Sequence, residues 1–370
     1  MRWLRIKPLD VLFFRRPGPF SAGGVFVAET EIVPGILPFI GAIRAEAARA
    51  LGLSPAVLRK GHESLGGPDS LGRLKFCGPF LAKDGRVFFP APKAAAYHEG
   101  LGKMVFSYPE EPEGACLSLP DGFGIWQLPK GYSPPAEEFF LGEESYFDLF
   151  KNAETFTSEG DRAFVSDFFE IERRVGIALE KGSRRVREGH LYTQSVVRLK
   201  DGVSFVVGVS GLPSEFPEKG VLTLGGEGKL ALYETMDSPP LPFANRPEAK
   251  GGARMAFVVL ATLGVFKSGP LPALPLSALK ARLVGAVVPK AKVLGGFDIS
   301  RNRPRPLVKT VSAGAVYALL FEDALTKEQE EKIFENFWAR PLADDFSFYP
   351  YGQAGFGLSF VCLSKFQGGV

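Results

Sequence analysis

Residues 3–14 open the chain as an apolar run with Arg5 and Lys7 on alternate positions, the period of a strand with one wet face. A basic turn follows, Arg15-Arg16-Pro17-Gly18-Pro19, and then a Gly-rich loop at 22–24. Residues 38–51 change period: Ile40, Ile43, Ala47 and Leu51 form one helical face, with Pro38 at the start and Gly52 just past the end. Arg44 and Arg49 point elsewhere. The stretch 73–90 reads as a hairpin turning at Lys83-Asp84-Gly85-Arg86. Strands are expected again near 203–209 and after the Gly-rich loop within 221–233.

The pattern then restarts. Residues 238–252, rich in Pro, Gly and polar side chains, read as a linker. Residues 255–266 form an apolar strand ending in Lys267-Ser268-Gly269-Pro270, as the first strand ended in a basic Pro-Gly turn. Strands follow at 282–288 and 313–321, and a proline-disturbed helix at 271–280. A helix at 326–338 carries a capping box (Thr326, Gln329) and the stripe Ile333, Phe334, Phe337, Trp338. A Gly-rich loop at 351–357 precedes a last strand at 358–363. Each half thus approximates strand, helix, strand pair, helix, Gly-rich loop, strand, the order of a βαββαβ ferredoxin-like unit. The expected architecture is α+β: an N-terminal ferredoxin-like domain at 1–237, a linker, and a second such domain at 253–370, with an irregular insertion near 94–170. The second helix of the first half is weak in the sequence.

Charge changes this picture locally. The 370 residues carry 44 Lys and Arg against 41 Asp and Glu, a net +3 too mild to announce a nucleic-acid binder. Yet 131–170 holds ten acids and two bases, net −8, interleaved with Phe139, Phe140, Tyr146, Phe147 and Phe150. Such a stretch repels nucleic acid and reads either as a local aromatic core or as a protein interface. The sign reverses at 173–200, with eight bases against two acids, and 293–317 adds four cations against Asp298. In that second segment Pro304 and Pro306 alternate with arginines and keep the backbone extended, as a phosphate track requires. Read without a ligand, the same segment is a solvated loop.

The residue types narrow the chemistry. Arginine pairs with phosphate and stacks on unstacked bases. Candidate RNA contacts are therefore Arg15, Arg16, Arg44, Arg173, Arg174, Arg184, Arg185, Arg187, Arg301, Arg303, Arg305 and Lys309, with His190 and Tyr192 supplying rings. Gly225, Gly226, Gly352, Gly355 and Gly357 allow close backbone approach to a phosphate, although tight turns use glycine equally well. Neither Gly-rich loop is a P-loop, because no Gly-Lys-Ser/Thr ending follows. The three cysteines and three histidines lack ligand spacing, so neither a metal nor a cofactor is implied. A charged N-terminus and the lack of a long apolar run read as cytoplasmic. Nine Asn and Gln together against 30 Pro fit a thermophilic source.

KPLDVLFFRRPGPF at 7–20, GAIRAEAARALG at 41–52, RVGIALEKGSRRVREGHLYTQSVVRL at 174–199, LGGEGKLAL at 224–232 and FDISRNRPRPLVKTVSAGAVY at 297–317 together resemble the RAMP superfamily. Within it they look like the third-subunit family of the Cmr complex, the type III-B CRISPR–Cas effector. The resemblance spans nearly the whole chain except 94–170. It implies a non-catalytic subunit that holds the 5′ tag of the CRISPR RNA. The large polymerase-like subunit would dock on one side and a backbone RAMP subunit on the other. Two alternatives stay open: a metal-independent endoribonuclease using His190 as general base, and a protein-only scaffold.

Overall fold

The computed structural model describes residues 1–16, 26–110, 123–135, 137–157, 160–179, 182 and 185–365. Two units emerge, each assembled from three separated segments. Unit 1 comprises Met1–Gly85, Val165–Met236 and Val293–Val308; unit 2 comprises Arg86–Phe164, Asp237–Lys292 and Lys309–Val370. Secondary structure is mixed, with mostly antiparallel sheets and few helices.

In unit 1, β1 (Arg2–Pro8) buries Leu4 and Ile6 while Arg5 and Lys7 face outward, as the alternation predicts. The strand is shorter than the apolar run. Pro8 has no N–H for the ladder, and beyond it the chain pairs only at isolated bridges such as Leu12 with Val197. Helix α1 (Leu37–Ala50) buries Phe39, Ile40, Ile43 and Ala47, one residue offset from the expected span. Phe39 meets Phe205 edge-on at 5.0 Å. The sheet continues with β2 (Lys75–Lys83), and positive φ at Asp84 and Gly85 makes the turn after it.

Two long strands, β3 (Phe169–Leu179) and β4 (Val186–Leu199), pair antiparallel as an extended hairpin; Phe26–Ala28 adds in parallel at Tyr192–Gln194. Strands β5 (Val203–Ser210), β6 (Lys219–Thr223) and β7 (Leu230–Thr235) complete the main sheet, in the order β2-β5-β1-β7-β6 with antiparallel neighbours. The weak second helix of the first half has no helical counterpart between β5 and β7, where the chain forms β6. Pro213 and Pro217 interrupt any helical ladder there.

Unit 2 contains a sheet of β8 (Met255–Leu260), β9 (Ala281–Val287), β10 (Val316–Phe321) and β11 (Leu358–Ser364), ordered β9-β10-β8-β11, with Arg340–Pro341 outside β11. Between β8 and β9 only Leu276–Leu279 is α-helical, in keeping with the prolines around it. The stretch read as irregular is ordered in part. Ala95–His98, Lys103–Phe106 and Glu154–Phe156 make a three-stranded sheet, and α2 (Glu143–Asn152) buries Tyr146, Leu149 and Phe150. Its i, i+3, i+4 signal lies among acids and lasts under three turns, too short to stand out. Helix α3 (Lys327–Phe337) carries the expected reciprocal cap: Gln329 N–H donates to Thr326 Oγ1 at 3.3 Å, and Thr326 N–H to Gln329 Oε1 at 2.8 Å. The aromatics of α2 join one core of the unit rather than a local one. Phe89 stacks on Tyr146 at 4.7 Å, and Phe360 meets Phe150 at 5.9 Å and Trp338 at 4.9 Å.

Candidate nucleic-acid interface

Tertiary structure sorts the cations that the sequence could only count. The extended hairpin β3/β4 is anchored at its base by an ionic chain. Arg174 Nη2 lies 3.3 Å from Glu172 Oε2, and Arg198 bonds Glu172 through Nε and reaches Asp10 Oδ1 at 3.5 Å. Lys229 Nζ closes on Asp10 Oδ2 at 3.4 Å. The Arg198 guanidinium holds the Glu172 carboxyl below the usual carboxylate range. The Val11 backbone N–H, aided by Lys229, does the same for Asp10. Arg198, Lys229, Glu172 and Asp10 thus set the hairpin's base, a role the sequence gave no spacing for. Only strand register makes these neighbours.

Along β3, Ile171, Arg173, Val175 and Ile177 share one face by the two-residue period, and all four are exposed. Arg173 has no ion pair among the described residues. Arg184 lies outside the described residues, as do the side chains of Arg187, His190 and Tyr192; the backbone of the latter three runs in β4, with Tyr192 opposite Gly176. Arg185 is exposed just before β4.

The proline-arginine segment folds as a small ribbon, with Phe297–Asp298 paired to Arg303–Pro304. It belongs to unit 1 up to Val308. Asp298 is its pin: the carboxylate accepts the Ser300 N–H at 3.0 Å, the Arg301 N–H at 3.2 Å and the Ser300 hydroxyl. Burial works to raise the Asp298 pKa, yet these donors hold it below the ordinary value. Arg301 is engaged from two sides, by Asp69 (Nη1 to Oδ1 2.7 Å) and by Asp298 at 3.1 Å. Its guanidinium lowers the pKa of Asp69 in turn. That leaves Arg303 exposed and without an ion pair among the described residues, Arg305 half-buried with its N–H on Gly296 O, and Lys309 exposed at the ribbon's end.

Other candidates have structural employment. Arg15 is exposed and bridges Thr30 through its backbone, and Arg16 pairs with Glu29 at 2.9 Å. Half-buried Arg44 donates to Gly67 O at 2.9 Å. Gly225 and Gly226 form the turn between β6 and β7, where the Gly226 N–H donates to Phe13 O at 2.8 Å and a Cβ on Gly225 would sit 2.9 Å from that same oxygen. In unit 2 the N–H groups of Gly352, Gly355 and Gly357 donate to Asp345 Oδ1, Gly352 O and Leu263 O. In both glycine loops these N–H groups are taken by acceptors within the chain. Among the described residues no group of three or more His, Cys, Asp or Glu could hold a metal ion, and no helix is long and apolar enough to cross a membrane.

Charge divides between the units. Unit 1 has 25 Lys and Arg against 18 Asp and Glu, and unit 2 has the other 19 against 23. The two basic segments, far apart in sequence, therefore share one net-positive body.

A chain in the cryo-EM structure of the type III-B Cmr-beta bound to cognate target RNA has 16% identity and a TM-score of 0.52, over 98% of this chain and 99% of that one. A chain in a second structure of Cmr-beta, bound to cognate target RNA and AMPPnP, has 14% identity and a TM-score of 0.50, over 90% and 89%. At that identity the likeness is one of fold. Comparison with curated proteins finds no match. The sequence model described as "CRISPR-associated protein (Cas_Cmr3)" matches residues 4–360, nearly the whole chain. The chain belongs to this Cas_Cmr3 family, and so is a Cmr subunit of a type III CRISPR effector complex.

Proposed function

We propose that this subunit is a non-catalytic RNA-binding scaffold that holds the 5′ end of the guide RNA within a cytoplasmic effector complex, between the large polymerase-like subunit and a backbone subunit. The observation that carries the reading is the gathering of 173–200 and 293–308 into one unit of net charge +7, against −4 for the other. Phosphate neutralisation needs such a body, and the exposed Arg173 guanidinium can also stack on an unstacked base. Both units are read as ferredoxin-like. In each, four strands run antiparallel in the order second-third-first-fourth, as β2-β5-β1-β7 and β9-β10-β8-β11.

Crosslinking of the complex co-assembled with guide RNA tests the reading. Crosslinks from the 5′ end are expected on peptides covering Arg173–Arg174 and Arg303–Arg305. If they fall instead on other subunits, and the double variant Arg173→Glu, Arg303→Glu binds guide RNA like the parent, the chain is a protein-only scaffold.

A further inference from the structure

Strand β6 (Lys219–Thr223) ends the main sheet of unit 1: no described strand lies beyond it. Its register fixes which backbone groups are taken. Thr235 N–H donates to Glu218 O at 2.6 Å and Leu224 N–H to Lys229 O at 2.8 Å, so by antiparallel alternation the even residues exchange hydrogen bonds with β7. The N–H and C=O groups of Lys219, Val221 and Thr223 therefore point away from the sheet.

The side chains around this edge split by face. Leu222, Ala231 and Tyr233 turn inward, where Tyr233 Oη donates to Glu46 Oε1 of α1 at 3.2 Å. On the other face, three rungs cross β1, β7 and β6. Leu9 lies level with Leu230 and Thr223, Lys7 with Leu232 and Val221, and Arg5 with Glu234 and Lys219. Leu9, Val221, Leu230 and Leu232 are each exposed by 44–56%, so together they form a continuous apolar patch beside an open edge. Soluble proteins blunt such edges with proline, bulges or inward charge. Here β6 has a regular register and only Lys219 at its start.

We propose that β6 is a docking edge that takes an extended strand from a neighbouring protein subunit of the complex, in the manner of β-augmentation. Outward main-chain groups specify a strand as occupant. The apolar rungs specify apolar side chains at its alternate positions, above Val221 and Leu232. Charge adds the end of the register. Glu234 is held by Arg5 at 3.2 Å, whereas Lys219 has no ion pair among the described residues, so an acidic residue of the incoming strand belongs opposite Lys219. RNA is the poorer fit, because no aromatic ring stands on these rungs to stack a base. The inference rests on membership of a multisubunit complex and is independent of RNA contact at the arginines.

Residue-resolved hydrogen–deuterium exchange, on the isolated chain and on the complex co-expressed with its neighbouring Cmr subunits, tests it. The amides of Lys219, Val221 and Thr223 are expected to exchange fast in the isolated chain and slowly in the complex, while Gly220 and Leu222 stay slow in both. Val221→Pro removes an outward donor, and Val221→Lys keeps the donor but charges the patch. Each should weaken assembly by about tenfold, the scale of one lost main-chain hydrogen bond or one buried aliphatic contact. Equal exchange of the three amides in both states overturns the proposal, as does wild-type assembly of both variants. Protection that appears with a dimer of the isolated chain, or with guide RNA alone, assigns the edge to another occupant and also overturns it. Loss of the RNA crosslinks with this protection intact would sink only the RNA reading.

Discussion

The difference between a cation that works as structure and one that faces solvent lies in a single neighbouring side chain. Arg301 and Arg303 are two residues apart in a proline-punctuated track, where Asp298 stands three residues before Arg301 and pairs with it. Asp69, more than two hundred positions earlier, engages Arg301 from the other side. Asp298 fixes the turn between them through short-range donors, so its effect on stability is tied to its charge. Because its folded pKa lies below the unfolded value, its contribution is present above about pH 4 and is lost as pH falls through the folded value. Asp298→Asn is therefore expected to lower the melting temperature at pH 7, with the gap to the parent shrinking below pH 4. A constant gap across pH, read by scanning calorimetry, would detach the turn from the carboxylate's charge.

Among elements, α3 has two tasks that the sequence presents unequally. Its cap was legible, because Thr326 and Gln329 stand at the spacing that lets each satisfy the other's backbone. Its buried acid was not. Glu330 lies in the first turn, where acids are common, yet its carboxylate accepts the N–H groups of Lys250 at 2.8 Å, Gly251 at 2.7 Å and Ala253 at 3.0 Å. The end of the 238–252 stretch, read as a linker from its Pro and Gly content, is thereby pinned to the helix. Glu330→Ala would strand three donors in a buried site and should cost about 3 kcal/mol or more in denaturant unfolding. A loss under 1 kcal/mol would mean that water replaces the carboxylate there. Helix α2 shows the opposite case: Tyr146 and Phe150 were visible as residues, but the helical period they share with Leu149 was masked by the acids around them.

Across the whole molecule, the balance of charge is misleading until the chain is folded. A net +3 predicts little, whereas a unit at +7 predicts salt-sensitive binding. In the assembled complex, Arg173→Ala and Arg303→Ala should each flatten the plot of log affinity for guide RNA against log salt by about 0.7, the value per single-stranded phosphate. Arg16→Ala, whose guanidinium already has Glu29, should leave that slope unchanged. Equal slopes for all three variants would show that engagement in an ion pair is not what separates the RNA-facing cations from the rest.

By itself, the sequence determined the local elements: β1 by its alternation, α1 by its 3.6-residue face, α3 by its cap, and the two basic segments by their composition. It also carried the family resemblance, since ordered motifs survive in the chain whatever their spatial neighbours. Tertiary structure alone decided which arginines are engaged, that the prolyl ribbon joins unit 1, that acceptors within the chain take these glycine N–H groups, and that no described strand lies beyond β6. The physical reason is common to these cases. Periodicity and caps are set by neighbours within a turn or a strand, whereas ion pairing, burial and edge exposure depend on residues brought together from scores to hundreds of positions away.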